Sequence, residues 1–278
     1  MICSGRLLGL FLCLATISVQ AQQRVAAVLT HADKPFVYQD SKDGLTGYAV
    51  ELTREIQQQA GSDVPIQMLP WEAVQERMQQ EPNLLAFAVV RTPEREEQFH
   101  WITPITRNMH GLFTTQARSD RMDSLQQAGK LSSIGVQGED FRERLLKQAG
   151  LSNVVSFDDW PQAVEALAKG EIEAIFYSAA GLDFHCHRMN LDCSQLSSIY
   201  VHEEVATYLV LSKGPDSESL AKQWQKAAQA YKASAAFQKL ANAWLIHYQR
   251  QYHLPLHIAD GTMNFWRLSE DFPATISH

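Results

Sequence analysis

Seven apolar residues in succession, Leu84–Val90, limit the fold of this chain more than any other segment. Because no polar residue alternates with them, they predict a strand buried on both faces. Strands of this kind lie in sheets that are covered by helices on both sides. Around this run the chain alternates other short apolar runs with segments of helical period, so we expect an α/β protein.

The remaining elements follow from the same two periods. Further strands are predicted at residues 24–29, 64–69, 133–136, 154–157, 172–177 and 205–212. Helices are predicted at residues 48–60, 71–80, 122–128, 139–148, 161–169 and 217–249, and Gly61, Gly150 and Gly170 are typical helix stops. Polar residues 31–47 predict a loop. The residues after Tyr252 have no clear period and predict an irregular tail on the surface.

The first 21 residues have the pattern of an export signal. Arg6 precedes an apolar run at residues 7–19, and Ala21 is a small residue at the expected cleavage site. The run is shorter than the roughly 20 residues that span a bilayer, so we interpret residues 1–21 as a signal peptide and expect a periplasmic protein. A buried N-terminal helix is the alternative. The formal net charge of −7 argues against a nucleic-acid partner.

Two cysteines, Cys186 and Cys193, remain after the signal peptide. An oxidising compartment favours a disulfide between them. The alternative is a zinc site, because His185 and His187 flank Cys186 and the four side chains are all possible ligands. Ligands two residues apart on one short segment fit tetrahedral geometry poorly, so we favour the disulfide and expect no metal.

The segment after the buried strand is the strongest candidate for a binding site. Thr92 is a good N-cap and Pro93 a good first helical residue, which places Arg95 in the first turn of a predicted helix. Free amides and an arginine at a helix N-terminus suit a carboxylate or a phosphate. The carboxyl edge of a parallel sheet is also where such folds bind ligands. The alternative is an ordinary capped helix in which Arg95 pairs with a nearby glutamate.

A second candidate edge follows the strand at residues 133–136. Gln137 and Gly138 precede a predicted helix and, with Glu139 and Asp140, form a turn that can expose backbone amides. Aromatic residues near the first edges are candidates for stacking on a ligand: Phe36, Tyr38, Trp71 and Trp101. The sequence has no nucleophile elbow, phosphate-binding loop or His-Glu-x-x-His motif, so we expect no enzymatic activity and no cofactor.

Several segments, taken in their order along the chain, carry a resemblance to a known family. They are residues 33–38, 44–52, 69–71, 86–104 with the motif Arg91-Thr92-Pro93-Glu94-Arg95, and 167–174. Over roughly residues 24–250 the chain resembles the family 3 bacterial extracellular solute-binding proteins, the amino-acid-type periplasmic binding proteins. The resemblance implies an α/β, two-lobed type II periplasmic-binding-protein fold with two hinge crossings. We place lobe 1 at residues 22–113 and 211–278, lobe 2 at residues 114–210, and the crossings near residues 111–116 and 207–212.

The resemblance also implies which residues line the cleft between the lobes. Arg95 matches the family arginine that grips a ligand carboxylate, whereas the hydroxyl positions before it match Ala88 and Val90, which offer only backbone groups. Asp33 matches the usual first-loop aromatic position, with Phe36 close by. Ser178, next to Tyr177, matches the acid that often holds an α-ammonium. The predicted ligand contacts are therefore Arg95, Val90, Phe36, Asp33, Trp71, Gln137, Gly138, Tyr177 and Ser178.

The function implied is capture of a small carboxylate-bearing solute, an amino acid or a related metabolite. The protein is expected to be a monomer that delivers this solute to an inner-membrane permease or a sensor. One alternative is a scaffold that has lost ligand binding, because polar contacts are missing at Val90 and Ser178. The other is a dehydratase-like enzyme on the same fold, for which Glu139 and Asp140 are the nearest acids.

Overall fold

The structure, a computed structural model, describes residues 24–42, 44–115, 121–192, 196–215, 217–252 and 256–265. Its strands are β1 (Ala27–Thr30), β2 (Tyr38–Asp40), β3 (Gly44–Thr46), β4 (Ile66–Met68), β5 (Leu84–Val90), β6 (Phe99–Thr114), β7 (Ile134–Gln137), β8 (Val154–Phe157), β9 (Ala174–Ser178), β10 (Ser197–Ser212), β11 (His257–Ala259) and β12 (Thr262–Phe265). Its α-helices are α1 (Tyr48–Ala60), α2 (Trp71–Gln80), α3 (Phe141–Gln148), α4 (Trp160–Ala168), α5 (Ala179–Arg188), α6 (Ser217–Lys232) and α7 (Ala235–Tyr252). Within the described residues, no helix is both long and apolar enough to span a membrane.

One sheet runs through both lobes in the order β4-β1-β5-β10-β6-β9-β7-β8. In lobe 1, β1 pairs in parallel with β4 and β5. In lobe 2, β7 pairs in parallel with β8 and β9. Six of the seven residues of β5 are buried, so the prediction of a strand covered on both faces is confirmed.

The two long antiparallel strands β6 and β10 connect the lobes. Near one end, β10 pairs with β5, with Thr207 opposite Val90. Near the other end, β6 pairs with β9, with His110 opposite Ser178. The pairing partners therefore change inside both strands, before residue 110 of β6 and before residue 207 of β10. The domain boundaries at residues 113/114 and 210/211 stay predictions.

Helix α1 illustrates how local sequence sets an element that positions the first loop. Val50, Leu52 and Ile56 lie at helical spacing and are 0% exposed. Gly61 ends the helix in the left-handed conformation, with φ 71°, and its amide bonds to the Gln57 and Gln58 carbonyls. Gly47 precedes the helix with φ 121°, and a Cβ there would lie 2.1 Å from the Phe36 carbonyl oxygen. Only glycine therefore lets the chain enter α1 this close to the Phe36 loop.

The C-terminal residues differ from the prediction of an irregular surface tail. Strands β11 and β12 form a hairpin, and β12 pairs in parallel with β6, with Met263 opposite Thr106. Met263 is 0% exposed and Phe265 is 2% exposed. The apolar side chains of this hairpin complete the core of lobe 1, which is why the tail is ordered here. The predicted helix at residues 217–249 is also two helices, separated at Ala233 and Ser234.

Other elements were also misjudged from the sequence, among them β6, which was not predicted at all. Residues 31–47, predicted as a loop, contain the β2–β3 hairpin. Helix α5 directly follows β9 and was not predicted, because its mixed composition has little helical periodicity. By contrast, the predicted bounds of α1, α2, β5 and β8 are confirmed.

Candidate ligand-binding site

The segment that carries Arg95 is a short turn after a bulged strand. Ala88 has φ 62°, and the β5–β10 register shifts beside it, between Tyr208 and Val210. Residues Pro93–Arg95 then form a single 3-10 turn, and the Thr92 side chain caps nothing. The predicted α-helix N-terminus is therefore wrong, because no helix follows that could align several free amides. The side chain of Arg95 remains as the anion-binding group.

The guanidinium of Arg95 is held in place by two neighbours of lobe 1. Its Nη1 donates to the Val90 carbonyl at 3.2 Å. Its central carbon lies 4.8 Å from the centre of the Trp71 ring. None of the ion pairs formed among the described residues includes Arg95. Several of its five N–H donors thus remain for a ligand.

The electrostatics of Arg95 connect it to lobe 2. Burial lowers the pKa of its guanidinium, and the positive charge of Arg144 lowers it further. The carboxylates of Glu94 and Asp140 act in the opposite direction. Asp140 caps α3 and Arg144 lies in its first turn, so charges at the start of this lobe 2 helix act on Arg95.

On the lobe 1 side, the backbone carbonyls before Arg95 already have partners. The Ala88 carbonyl lies 3.1 Å from the His31 Nε2, and the Val90 carbonyl accepts from Arg95. The His31 ring lies 5.0 Å from the Trp71 ring. His31, Trp71 and Val90 therefore surround the Arg95 guanidinium on the lobe 1 side, and the role of Trp71 as a ligand contact stays a prediction.

The two predicted contacts of the first loop, Asp33 and Phe36, have different surroundings. The carboxylate of half-buried Asp33 has no hydrogen bond or ion pair with the described residues. Burial raises the pKa of this carboxyl, and the charges of His31 and Arg142 partly offset the effect. Phe36 does not line the cleft. It is 3% exposed and packs edge-on against Phe265 at 4.1 Å, because the C-terminal hairpin draws its ring into the core.

The turn between β7 and α3 has fewer free amides than the sequence suggests. The Gly138 amide donates to the Phe157 carbonyl at 2.9 Å. The amide of Glu139, which has φ 62°, donates to the Glu143 carboxylate at 2.8 Å. Asp140 caps α3 by accepting from the Arg142 amide at 2.8 Å. The Gly138 and Glu139 amides are therefore occupied within the protein and not free to bind an anion, and ligand contacts at Gln137 and Gly138 stay predictions.

The second-lobe residues Tyr177 and Ser178 also serve the fold. Tyr177 is 5% exposed and stacks on Trp160 with ring centres 3.7 Å apart. Ser178 is 6% exposed, and its Oγ caps α5 by accepting from the Gly181 amide at 3.1 Å. The predicted contact at Ser178 is therefore a helix cap, which explains why a serine suits this position.

Sequence reasoning did not single out Arg142, which lies in the first turn of α3, just after β7. Its Nη1 lies 2.9 Å from the Asp140 Oδ2, and its Nη2 lies 3.2 Å from the His110 Nε2. Burial lowers the pKa of His110 well below its usual range, and the charges of Arg142 and His202 add to this effect. The only local signal for this cluster was the cap Asp140 two residues before a basic residue.

The cysteine prediction stays a prediction. Cys186 is 2% exposed near the end of α5, and Cys193 lies outside the described residues. In the described ranges, no group of three or more His, Cys, Asp and Glu side chains is arranged to hold a metal ion.

A separate cavity of about 690 Å³ lies at the start of α6. It contains none of the predicted site residues, and several of its polar groups already have partners within the protein. The His100 Nε2 lies 2.8 Å from the Ser217 Oγ, and Lys222 is 2.7 Å from Glu218. We therefore take the cleft as the candidate site.

Comparison with known proteins agrees with this geometry. A histidine kinase sensor domain with similarity to periplasmic binding proteins has TM-score 0.66 and 17% identity, and the match covers 80% of this chain and 97% of that one. An amino acid ABC transporter substrate-binding protein from Streptococcus pneumoniae, bound to L-arginine, has TM-score 0.63 and 19% identity over 81% and 95%. The L-cystine solute receptor of Neisseria gonorrhoeae has TM-score 0.54 and 16% identity over 81% and 92%.

These likenesses confirm the predicted two-lobed type II periplasmic-binding-protein fold. None of the curated protein sequences compared with the chain matches it. The model of the bacterial extracellular solute-binding proteins, family 3, matches residues 26–247. The chain therefore belongs to family 3 of the bacterial extracellular solute-binding proteins.

Proposed function

We propose that this protein captures a small carboxylate-bearing solute in the cleft between its lobes, and that Arg95 holds the carboxylate. The proposal rests on the surroundings of the Arg95 guanidinium. Its guanidinium rests on Trp71 and the Val90 carbonyl, and no carboxylate of the described residues pairs with it. A half-buried arginine with free donors in a fixed orientation favours bidentate binding of a carboxylate.

Asp33 supports an amino acid, or a related metabolite with a positive group, as the solute. Its carboxylate is half-buried and lacks a partner among the described residues, and burying it alone disfavours its charge. An ammonium group would remove that penalty. Asp33 on lobe 1 would then bind the ammonium group of the solute, since Ser178 stands where the family often has the acidic residue for this role. The solved relatives named for L-arginine and L-cystine support the same class of solute.

The setting of this function is the periplasm, after export through residues 1–21. Family membership supports an extracellular or periplasmic location. A bound solute would be passed to an inner-membrane permease or detected by a sensor. The transporter-linked relative supports the first role, and the kinase sensor domain supports the second.

The test is a thermal-shift screen of the protein against amino acids, dicarboxylates, polyamines and peptidoglycan fragments, followed by calorimetry on each hit. A ligand at about 100 times its dissociation constant adds about 2.7 kcal/mol to the free energy of unfolding. Arg95→Ala is expected to weaken binding about a hundredfold, because two charge-assisted hydrogen bonds are lost.

Arg91→Ala is the matched control for this experiment. Arg91 lies four positions earlier but is exposed and pairs with Glu96, so its loss should leave the affinity unchanged. Equal affinity of Arg95→Ala and the unaltered protein would refute the assigned role of Arg95.

A scaffold without a ligand is the second candidate, and one observation favours it. The Ala88 and Val90 carbonyls and the Ser178 hydroxyl, all at positions where the family binds ligands, are engaged within the protein. A screen without any hit, on protein that unfolds cooperatively, would favour this candidate.

A further inference from the structure

Arg142 lies in a cage of aromatic rings on the lobe 2 side of the cleft. Its central guanidinium carbon is 4.5 Å from the centre of the Phe141 ring, 5.1 Å from that of Trp160 and 5.5 Å from that of Tyr177. The Trp160 and Tyr177 rings stack on each other, so their positions are fixed by packing. The faces of such rings attract cations.

Polar groups complete this cage. The Asp140 carboxylate pairs with the guanidinium at 2.9 Å, and the side chains of Arg142 and Asp140 are only 12% and 18% exposed. His110, 3% exposed, lies 3.2 Å from the Arg142 Nη2. A guanidinium has no acceptor, so the His110 Nε2 must be the acceptor in this bond. The rings, the carboxylate and the imidazole all favour a guanidinium in this place.

Such a combination is what a protein uses to bind the guanidinium or ammonium group of a ligand. In this protein the guanidinium of Arg142 occupies the position that a ligand cation would take. The cage lies at the carboxyl ends of the parallel strands β7 and β9, the edge at which such sheets bind ligands. The charge of Arg142 also acts on the carboxyl of Asp33 in lobe 1. A ligand guanidinium or side-chain ammonium brought to this cage would meet the repulsion of Arg142 and would find the place beside Asp140 and the three rings occupied.

We propose that Arg142 determines specificity by occupying the cation-binding place of lobe 2, so that the cleft excludes solutes with a guanidinium or amino side chain. This inference rests on the proposed function and narrows its solute class. The carboxylate-bearing solute then has an uncharged or acidic side chain, and a cationic amino acid such as L-arginine is excluded.

The experiment compares the unaltered protein, Arg142→Ala and Arg77→Ala, with L-arginine and methylguanidine as probes in calorimetry and thermal unfolding. Arg77 is the matched control because it also pairs with a carboxylate, that of Glu81 at 2.7 Å, but lies on α2 outside the cage. Arg142→Ala leaves Asp140 and the three rings unoccupied. We expect it to bind both probes about ten- to a hundredfold more tightly than the other two proteins.

Two results would overturn the inference. One is binding of L-arginine by the unaltered protein as tight as by Arg142→Ala, and the other is no gain for either probe in folded Arg142→Ala. If Arg142→Ala unfolds when expressed alone, refolding it with millimolar methylguanidine is the readout, and failure to recover the fold counts against the cage. The two proposals can fail independently. Methylguanidine has no carboxylate and Arg95 is not part of the cage, so Arg95→Ala should not affect the binding of this probe.

Discussion

Phe265→Ala tests whether the C-terminal hairpin is part of the core of lobe 1. The Phe265 ring is 2% exposed and contacts Phe36 at 4.1 Å and Tyr248 at 6.2 Å, measured between ring centres. Replacing a buried phenylalanine by alanine costs about 3–5 kcal/mol, because burial is lost and a cavity remains. For a protein whose unfolding free energy is about 5–15 kcal/mol, this is a large fraction of the total.

The assay is urea unfolding followed by tryptophan fluorescence, with Ile246→Ala as the control. Ile246 is an apolar residue of α7 that is 45% exposed, so its truncation should change the unfolding free energy by only about 0.5 kcal/mol. A Phe265→Ala variant no less stable than Ile246→Ala would refute the reasoning, since a tail that lies loosely on the surface would behave in that way.

Two further predictions concern lobe 2. Ser178→Ala should lower the unfolding free energy by about 1 kcal/mol through loss of the α5 cap and leave solute affinity unchanged, whereas a large loss of affinity would make Ser178 a ligand contact. Burial, with the charges of Lys34 and Arg188, lowers the pKa of His185 to about 4. In the unfolded chain His185 binds a proton near pH 6.5, whereas in the folded protein it stays neutral down to about pH 4. Because the unfolded state binds more protons between these values, the free energy of unfolding falls as the pH falls through this range. His185→Gln should lose less stability between pH 7 and pH 5 in urea titrations, and an equal loss would contradict the buried neutral histidine.

Local sequence was sufficient for elements whose signals lie within a few residues. The unbroken run Leu84–Val90 predicted a strand covered on both faces, and the period of α1 with Gly61 after it predicted both ends of that helix. Arg95 was also found from its place after the buried strand. In each case the period or the turn chemistry is a property of neighbouring residues.

The site required contacts between distant parts of the chain. Arg142 meets His110, 32 positions away, and rings from α4 and β9 as well. A basic residue in the first turn of a helix does not reveal such partners, since most residues of this kind face solvent. The order of the family motifs predicted the lobes, but not which side chain fills the cleft.

Phe36 shows the same division between local pattern and tertiary structure. Local sequence patterns were enough to predict the α/β class and the bounds of α1, α2, β5 and β8. Tertiary contacts were needed to show that Phe36 belongs to the core, where it packs against Phe265 and Tyr248, and that Arg142 lies among aromatic rings of lobe 2. The physical reason is that burial depends on every segment that packs against a side chain, and these segments are not neighbours in the sequence.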